Sequence, residues 1–405
     1  MAESKRKKIQ KLLSEGGVAE VVGRKELEKK LVSGKKLIVK FGADPTRPDL
    51  HLGHAVALRK MREFQDLGHK VVFLIGDATS KIGDPTGQDK TRPMMTDAEI
   101  KKNAATYVKQ ASKILKTDKN LLEIKYNSEW FSKMKFYDFL RLMTMTTAAR
   151  ILERDMFQER IKKGKDIGLH ELVYPIMQGY DSVKLKADVV LLGSDQKFNE
   201  LFGRHYQQKF GQEPQCMIIT KLLVGTDGKE KMSKSLDNYI GITESADQIY
   251  GKVMSIPDSA IAEYYELASG LPQERIKESL RKLKKEKYNP MSAKADIAFE
   301  VVKFYHGKNQ AVMVRENFIN VFQRRRNPEN IQKYIINRNA IKLMDYMSYA
   351  GSAHSISDAR RKIEQGGVSI SGKKITDYKF ELNKKNHNNK VVKVGKLHFS
   401  KIVFK

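Results

Sequence analysis

The sequence predicts an α/β protein: a parallel sheet with helical crossovers comes first, then an α-helical region, then a small α+β module. Three observations predict it. Apolar runs of strand length recur at residues 37–42, 71–76 and 187–193, hydrophobic along their length as strands covered on both faces are. Amphipathic segments with helical periodicity separate these runs. After about Tyr239 the strand signals fade into charged helical sequence, and residues 341–405 then carry 14 Lys or Arg against 5 Asp or Glu.

In chain order, residues 26–31 read as the end of a helix that stops at Ser33-Gly34, and residues 37–42 as the first buried strand. Pro45 and Pro48 disfavour helix before them, whereas residues 55–67 hold good helix formers with apolar periodicity. Each of the three strands ends in a glycine-containing segment rich in Asp, Thr, Ser or Gln. Open parallel sheets bind ligands just beyond the C-terminal ends of their strands. The candidate site residues are therefore grouped along the chain. Residues 245–322 are mostly charged helical sequence punctuated by Pro257, Pro272 and Pro290, with Arg324-Arg325-Arg326-Asn327-Pro328 as its far edge or a linker. Residues 383–390 read as an exposed turn. The expected division is residues 1–240, 241–335 and 338–405.

Lys and Arg number 76 against 48 Asp and Glu, a formal charge of +28 over 405 residues. Such an excess points to a polyanionic partner, or simply to a surface that keeps the chain soluble. One cysteine, Cys216, excludes an internal disulfide and fits a reduced, cytosolic compartment. It lies in the apolar run Cys216-Met217-Ile218-Ile219, which suits a buried hydrophobe rather than a nucleophile. The charged N-terminus lacks the apolar core of a secretion signal, and no run of about 18 apolar residues occurs, so neither secretion nor a membrane span is expected.

Two segments suit phosphate chemistry. Phe41-Gly42-Ala43-Asp44-Pro45-Thr46 leads to Leu50-His51-Leu52-Gly53-His54, which places both histidines near the start of a helix. Backbone amides there face outward and attract phosphate. The two imidazoles add donors, and Gly53 leaves room for a nucleotide. Taken alone, the pair also fits two structural histidines or part of a zinc site. The second segment, Lys231-Met232-Ser233-Lys234-Ser235, follows Gly225-Thr226-Asp227-Gly228-Lys229-Glu230. A cation-rich loop flanked by glycine can close over phosphates, although alone it also reads as a solvated turn.

A third segment, Tyr174-Pro175-Ile176-Met177-Gln178-Gly179-Tyr180-Asp181, puts Tyr174, Gln178 and Asp181 at i, i+4 and i+7. In a helix they share one face, where a phenol, an amide and a carboxylate converge on one small ligand. Ile82-Gly83-Asp84-Pro85-Thr86-Gly87 and Gly193-Ser194-Asp195-Gln196 each follow a predicted strand. Either alone is an ordinary turn.

Together, these segments resemble the bacterial-type tyrosyl-tRNA synthetases, a class I family in which the histidine and lysine motifs occur in this order. The resemblance covers nearly the whole chain, most specifically residues 39–236. It implies a Rossmann-like catalytic domain over 1–240, a helical anticodon-side domain over 241–335 and an S4-like RNA-binding domain over 338–405. It implies that tyrosine is activated with ATP and magnesium, then transferred to tRNA(Tyr), by a cytoplasmic homodimer. Thr46, His51, His54, Lys231 and Lys234 would be catalytic. The nucleotide would lie against Asp44, His51, Gly53, His54, Asp195, Lys231, Met232, Ser233, Lys234 and Ser235. Tyrosine would lie against Asp84, Tyr174, Gln178, Asp181 and Gln196, with Asp181 accepting from its phenol. The basic stretch 355–372, with Arg360, Arg361 and Lys362 on a short helix begun by Asp358 and stopped by Gly366-Gly367, is similar to the S4 module and would contact RNA.

The chain departs from the family at Lys40, where many bacterial members carry a tyrosine that helps bind the substrate phenol. Lys40 could donate to that phenol or turn toward Asp181. Ala43 also replaces a common aromatic residue.

Overall fold

The computed structural model describes residues 2–46, 48–85, 95–285, 288–320, 331–395 and 398–405. The segment Arg324 to Pro328 and the residues Thr86 and Gly87, expected as a linker and as part of a site loop, lie outside them. The chain divides into two compact units, Met1–Val312 and Met313–Lys405.

The first unit is built on a six-stranded sheet with strands β1 (Val18–Val22), β2 (Ile38–Ala43), β3 (Lys70–Ile75), β4 (Leu122–Tyr126), β5 (Val189–Gly193) and β6 (Cys216–Thr220), in the order β1-β6-β5-β2-β3-β4. All neighbours are parallel except β1, which runs antiparallel to β6 at the edge. The central strands are apolar because helices cover both faces: Val39, Phe73, Ile75, Val189 and Ile218 are fully buried. The edge strand β1 carries Glu20 and is only partly covered, so it lacks that signature. Cys216 is buried in β6.

From β2 the chain winds one way through β3 and β4, and β5 and β6 lie on the other side of β2. The sheet therefore switches direction between β2 and β5, where connections diverge and leave a crevice. The pairing itself makes room for it. β2 and β3 pair from Ile38–Lys70 to Ala43–Ile75, whereas β2 and β5 pair only at Val39–Val189 and Lys40–Val190. Beyond Lys40 the two strands part.

The helical sequence after the sheet forms the helices Ala246–Ser255, Ile261–Leu267, Gln273–Lys284 and Pro290–His306, which belong to the first unit. Ser245 with Gln248 caps the first, and Asn289 with Pro290 at the first helical position starts the last. Arg59 of the helix Leu52–Asp66 ties them to the sheet layer. It donates to the Ala268 carbonyl at 2.7 Å and lies over the Phe304 ring at 5.0 Å.

The second unit holds a five-stranded sheet with β7 (Gln332–Ile336), β9 (Val368–Ile370), β10 (Lys373–Ile375), β12 (Val391–Val394) and β13 (His398–Phe404), and a two-stranded pair of β8 (Ala340–Lys342) and β11 (Glu381–Asn383). Its core gathers Leu343, Tyr346, Ile363, Leu382 and Ile402. The helix Ile356–Glu364 is capped by Ser355, whose Oγ accepts from the Asp358 amide, so Asp358 stands in its first turn rather than beginning it. Lys384–His387 forms a single helical turn capped by Asn383, where an exposed turn was expected.

Candidate active site

The crevice between the diverging ends of β2 and β5 encloses a cavity of about 320 Å³. Asp44, Thr46, His51, Gly53 and His54 line it from the β2 side. Asp84, Asp195, Gln196, Lys231, Met232 and Ser233 line it from the other loops, and Tyr174, Gln178 and Asp181 from the helix Leu169–Leu185. An adjoining cavity is lined by Asp44, Thr46, His51, His54, Ser233, Lys234 and Ser235. Every catalytic, nucleotide and tyrosine residue expected from the sequence thus lines one or both of these two cavities.

At one end the helix Leu169–Leu185 points Tyr174, Gln178 and Asp181 inward, as their spacing predicts. Tyr174 donates to Asp44 Oδ2 at 3.0 Å, and Thr79 donates to Asp44 Oδ1 at 2.8 Å. Gly76 makes that second bond fit, since a Cβ there would stand 2.0 Å from Asp44 Oδ1. Gln196 donates to Asp84 Oδ2 at 2.7 Å and accepts from Asn199 at 3.0 Å. Asp181 is buried and accepts from Trp130 Nε1 at 3.0 Å and Asn127 Nδ2 at 3.3 Å. Burial pushes its carboxyl up to about 8, opposed by the nearby Lys40 ammonium and the two donors. Burial, with Asp44 and Asp84 close by, likewise raises the Tyr174 phenol well above its ordinary range.

Lys40 lies close enough to Asp181 for its charge to act there, but its hydrogen bonds go elsewhere. Its Nζ donates to Ser182 Oγ at 2.7 Å and to Glu200 Oε2 at 2.9 Å.

At the other end, His51 caps the helix Leu52–Asp66. Its Nδ1 accepts from the Gly53 amide at 3.2 Å, and His54 Nδ1 accepts from the His51 amide at 3.3 Å. Each neutral ring therefore carries its proton on Nε2. Burial, with Lys234 close by, lowers the His54 imidazole to about 3, and burial with His54, Lys234 and Lys231 lowers that of His51 as well. Both rings are neutral hydrogen-bond donors at physiological pH. Gly53 also leaves room for the His51 ring, since a Cβ there would stand 3.0 Å from it.

Lys231 pairs with Asp195 Oδ2 at 2.7 Å, and Lys234 donates to the Tyr107 hydroxyl at 3.2 Å with its ammonium over that ring. The loop between them is folded by Asn238, whose Oδ1 accepts from the Ser233 amide at 2.7 Å.

Sequence reasoning missed Glu200, Asn127, Trp130, Thr79 and Tyr107. Trp130, the chain's one tryptophan, sits just beyond β4 and carries the clearest missed signal, because a buried indole N–H requires an acceptor. In the second unit, Arg360 pairs with Glu364, and Arg361 and Lys362 both pair with Asp358. Arg360 also lies over the Tyr378 ring at 4.2 Å. Arg360 and Arg361 remain largely exposed, and such surface pairs are weak enough to exchange for other anions.

A nucleotide-sized crevice at the switch point of a parallel sheet, with a histidine helix on one side and a lysine loop on the other, defines a class I tRNA synthetase. Residues 33–323 match the family described as tRNA synthetases class I (W and Y), and residues 325–402 match the tyrosine–tRNA ligase SYY-like C-terminal domain. The chain is 45% identical to the tyrosine–tRNA ligase of Thermotoga maritima over 95% of each sequence. It is 46% identical to that of Carboxydothermus hydrogenoformans over 96% of each. Among solved structures, a C-terminally truncated Coccidioides posadasii mitochondrial tyrosyl-tRNA synthetase matches with a TM-score of 0.63 and 25% identity, over 78% of this chain and 95% of that one. The Archaeoglobus fulgidus tyrosyl-tRNA synthetase complexed with L-tyrosine shares the fold, with a TM-score of 0.62 and 20% identity over 76% of this chain and 99% of that one. The chain belongs to the tyrosine–tRNA ligase family.

Proposed function

We propose that the crevice binds tyrosine and ATP end to end, joins them as tyrosyl-adenylate, and passes tyrosine to the 3′-terminal ribose of tRNA(Tyr) with release of AMP. The observation that carries this reading is the face formed by Tyr174, Gln178 and Asp181 at one end of the same space that the histidine helix and lysine loop border at the other.

In the first step a tyrosine carboxylate oxygen attacks the ATP α-phosphorus, the bond to the bridging oxygen breaks, and pyrophosphate leaves with that electron pair. A carboxylate is already an anion, so no general base is required, and rate comes from alignment and from donors to the transferring phosphate. The neutral His51 and His54 supply N–H donors, with Thr46 beside them. Lys231 and Lys234 supply charge to the departing pyrophosphate. Asp195 receives the ribose, which requires Lys231 to leave it. Asp84, Tyr174 and Gln178 hold the substrate ammonium, Asp181 reads the phenol, and Gln196 stands near the carboxylate. Magnesium enters with the triphosphate. Among the described residues no group of three or more His, Cys, Asp or Glu side chains is arranged to hold a metal ion.

The basic second unit, through Arg360, Arg361 and Lys362, and the helical segment beside the sheet hold tRNA. The domain roles expected from the sequence carry over as part of this reading. A homodimer is supported by the helix Phe136–Met143, where Phe136 and Tyr137 are 71% and 77% exposed beside the exposed Leu140 and Met143. Among the described residues no helix is long and apolar enough to cross a membrane, and the cytoplasm, where charged tRNA is used, is the proposed compartment.

Amino-acid-dependent pyrophosphate exchange over the standard amino acids tests the reading. Tyrosine alone should support exchange, and activation of tryptophan, or of neither, would sink it. Ending the chain at Asn320 should lower tRNA charging by about 100-fold or more through lost phosphate contacts and leave exchange nearly intact. Equal loss of both would make the second unit a folding support instead.

A further inference from the structure

Lys40 is the last residue through which β2 pairs with β5 and stands at the floor of the crevice, 1% exposed. Its partner Glu200, 3% exposed, receives two further donors: Gln178 Nε2 at 2.8 Å on Oε1 and Gln215 Nε2 at 3.0 Å on Oε2. A carboxylate only accepts, so it decides which end of the Gln178 amide faces it. The NH₂ group must turn toward Glu200. The carbonyl Oε1 of Gln178 is buried with no hydrogen-bond partner among the described residues, and Gln178 lines the crevice. A buried acceptor without a partner, on a side chain that lines a ligand cavity, suits a group that can only donate, and an ammonium is such a group.

We infer that Lys40 and Glu200 form a positioning pair for amino-acid recognition. Glu200 fixes the Gln178 amide with its carbonyl toward the substrate ammonium, and Lys40 supplies the charge that allows a buried carboxylate to stand there. The inference rests on the assignment of the crevice to tyrosine, and it gives Lys40 a function at the ammonium end of the ligand instead of the phenol end. The geometry explains why a lysine is tolerated at this position: two of its three N–H donors are already committed, to Ser182 and Glu200. Gly203 leaves room for the arrangement, since a Cβ there would stand 2.4 Å from Gln215 Nε2 and 2.6 Å from Ser182 Oγ.

Removing one partner alone leaves an uncompensated buried charge, so the test replaces both, Lys40→Met with Glu200→Leu, in the full-length enzyme. Two ligands are titrated: tyrosine, and 3-(4-hydroxyphenyl)propanoate, which is tyrosine without its ammonium. KM for tyrosine in pyrophosphate exchange should rise about 10- to 100-fold, the value of a hydrogen bond to a charged group, with kcat and KM for ATP changing far less. Affinity for the deaminated ligand should hold, so that the preference for tyrosine over it narrows by the same factor. Selectivity for tyrosine over phenylalanine should hold too, because both carry the ammonium. An unchanged tyrosine KM, or equal weakening of both ligands, would make the pair a structural support only. A fall in selectivity against phenylalanine would put Lys40 at the phenol. Either result overturns the inference. Should the double variant not fold, Lys40→Met with Glu200→Gln takes its place, because it leaves no buried charge unpaired and the new amide presents both an N–H and a carbonyl to Gln178. The preference for tyrosine over the deaminated ligand narrows there as well, and an unchanged preference counts against the pair. A wild-type enzyme without tyrosine-dependent exchange would instead defeat the tyrosine assignment itself.

Discussion

The two ends of the crevice are built differently. At the amino-acid end the side chains are bonded to one another: Lys40, Glu200 and Gln178 form one chain of hydrogen bonds, and Asp181, Trp130 and Asn127 form another. At the proposed nucleotide end the cations sit on a loop and are held by protein groups, with Lys231 on the Asp195 carboxylate and Lys234 on the Tyr107 hydroxyl. In the proposed reading one end is set in advance, and the other must let go before it can act. The difference follows from what each end does. Selecting one amino acid requires buried groups that lose their partner when the wrong ligand enters. Transferring a phosphate requires charge delivered late, where it develops.

Lys234→Ala addresses the movable end and should have the largest effect. Tyrosine-dependent exchange should fall by about 10²- to 10³-fold, the cost of one lost donor to the developing charge, while filter-binding affinity for tRNA is retained. Unchanged exchange would mean that the loop cation has no part in the chemistry. Asp181→Asn addresses the fixed end. It keeps volume but replaces one carboxyl oxygen, which can accept from the phenol, with an NH₂ group that only donates, so selectivity for tyrosine over phenylalanine should drop about 10- to 100-fold. A drop in kcat with selectivity intact would assign Asp181 to catalysis and remove the contrast between the ends.

The same variant makes a smaller prediction about stability. The Asp181 carboxyl rises from the ordinary 3.8 to about 8. A raised carboxyl contributes stability through its protonated form, in full below pH 3.8, and that contribution is lost as pH climbs through 8. Thermal melts of the ligand-free proteins should therefore show the asparagine variant gaining on the wild type from pH 5 to pH 8 and levelling above. Parallel curves would mean that Asp181 is not held in a dry site.

How much of this was legible follows the same division. His51 and His54, or Lys231 and Lys234, lie a few residues apart, so local spacing announces the nucleotide end. Tyr174, Gln178 and Asp181 were legible for the same reason, because one helix carries all three. The partners were not. Glu200 meets Lys40 across 160 residues, and Trp130 meets Asp181 across 51. Such contacts exist only once the sheet has brought its strands together. Three of the four buried strands, β2, β3 and β5, could be read from continuous apolar runs; the short run of β6 was noted only for its cysteine, and β1, half-covered at an edge with Glu20 at its centre, gave no such run. Lys40 was visible as an oddity, but its direction was set by a carboxylate that the sequence does not place beside it.

The parting of β2 from β5 has a consequence for tolerance to mutation. Two strand margins that would otherwise bond to each other face the ligand space with Phe41, Gly42, Ala43, Leu191, Leu192 and Gly193 along its walls. Part of that lining is main chain, and main-chain donors and acceptors call for a polar occupant whatever side chains they carry. Substitutions along these margins would reshape the cavity without erasing that demand. Drift in the neighbouring residues can retune which ligand fits, while the requirement for a polar one is written into the backbone.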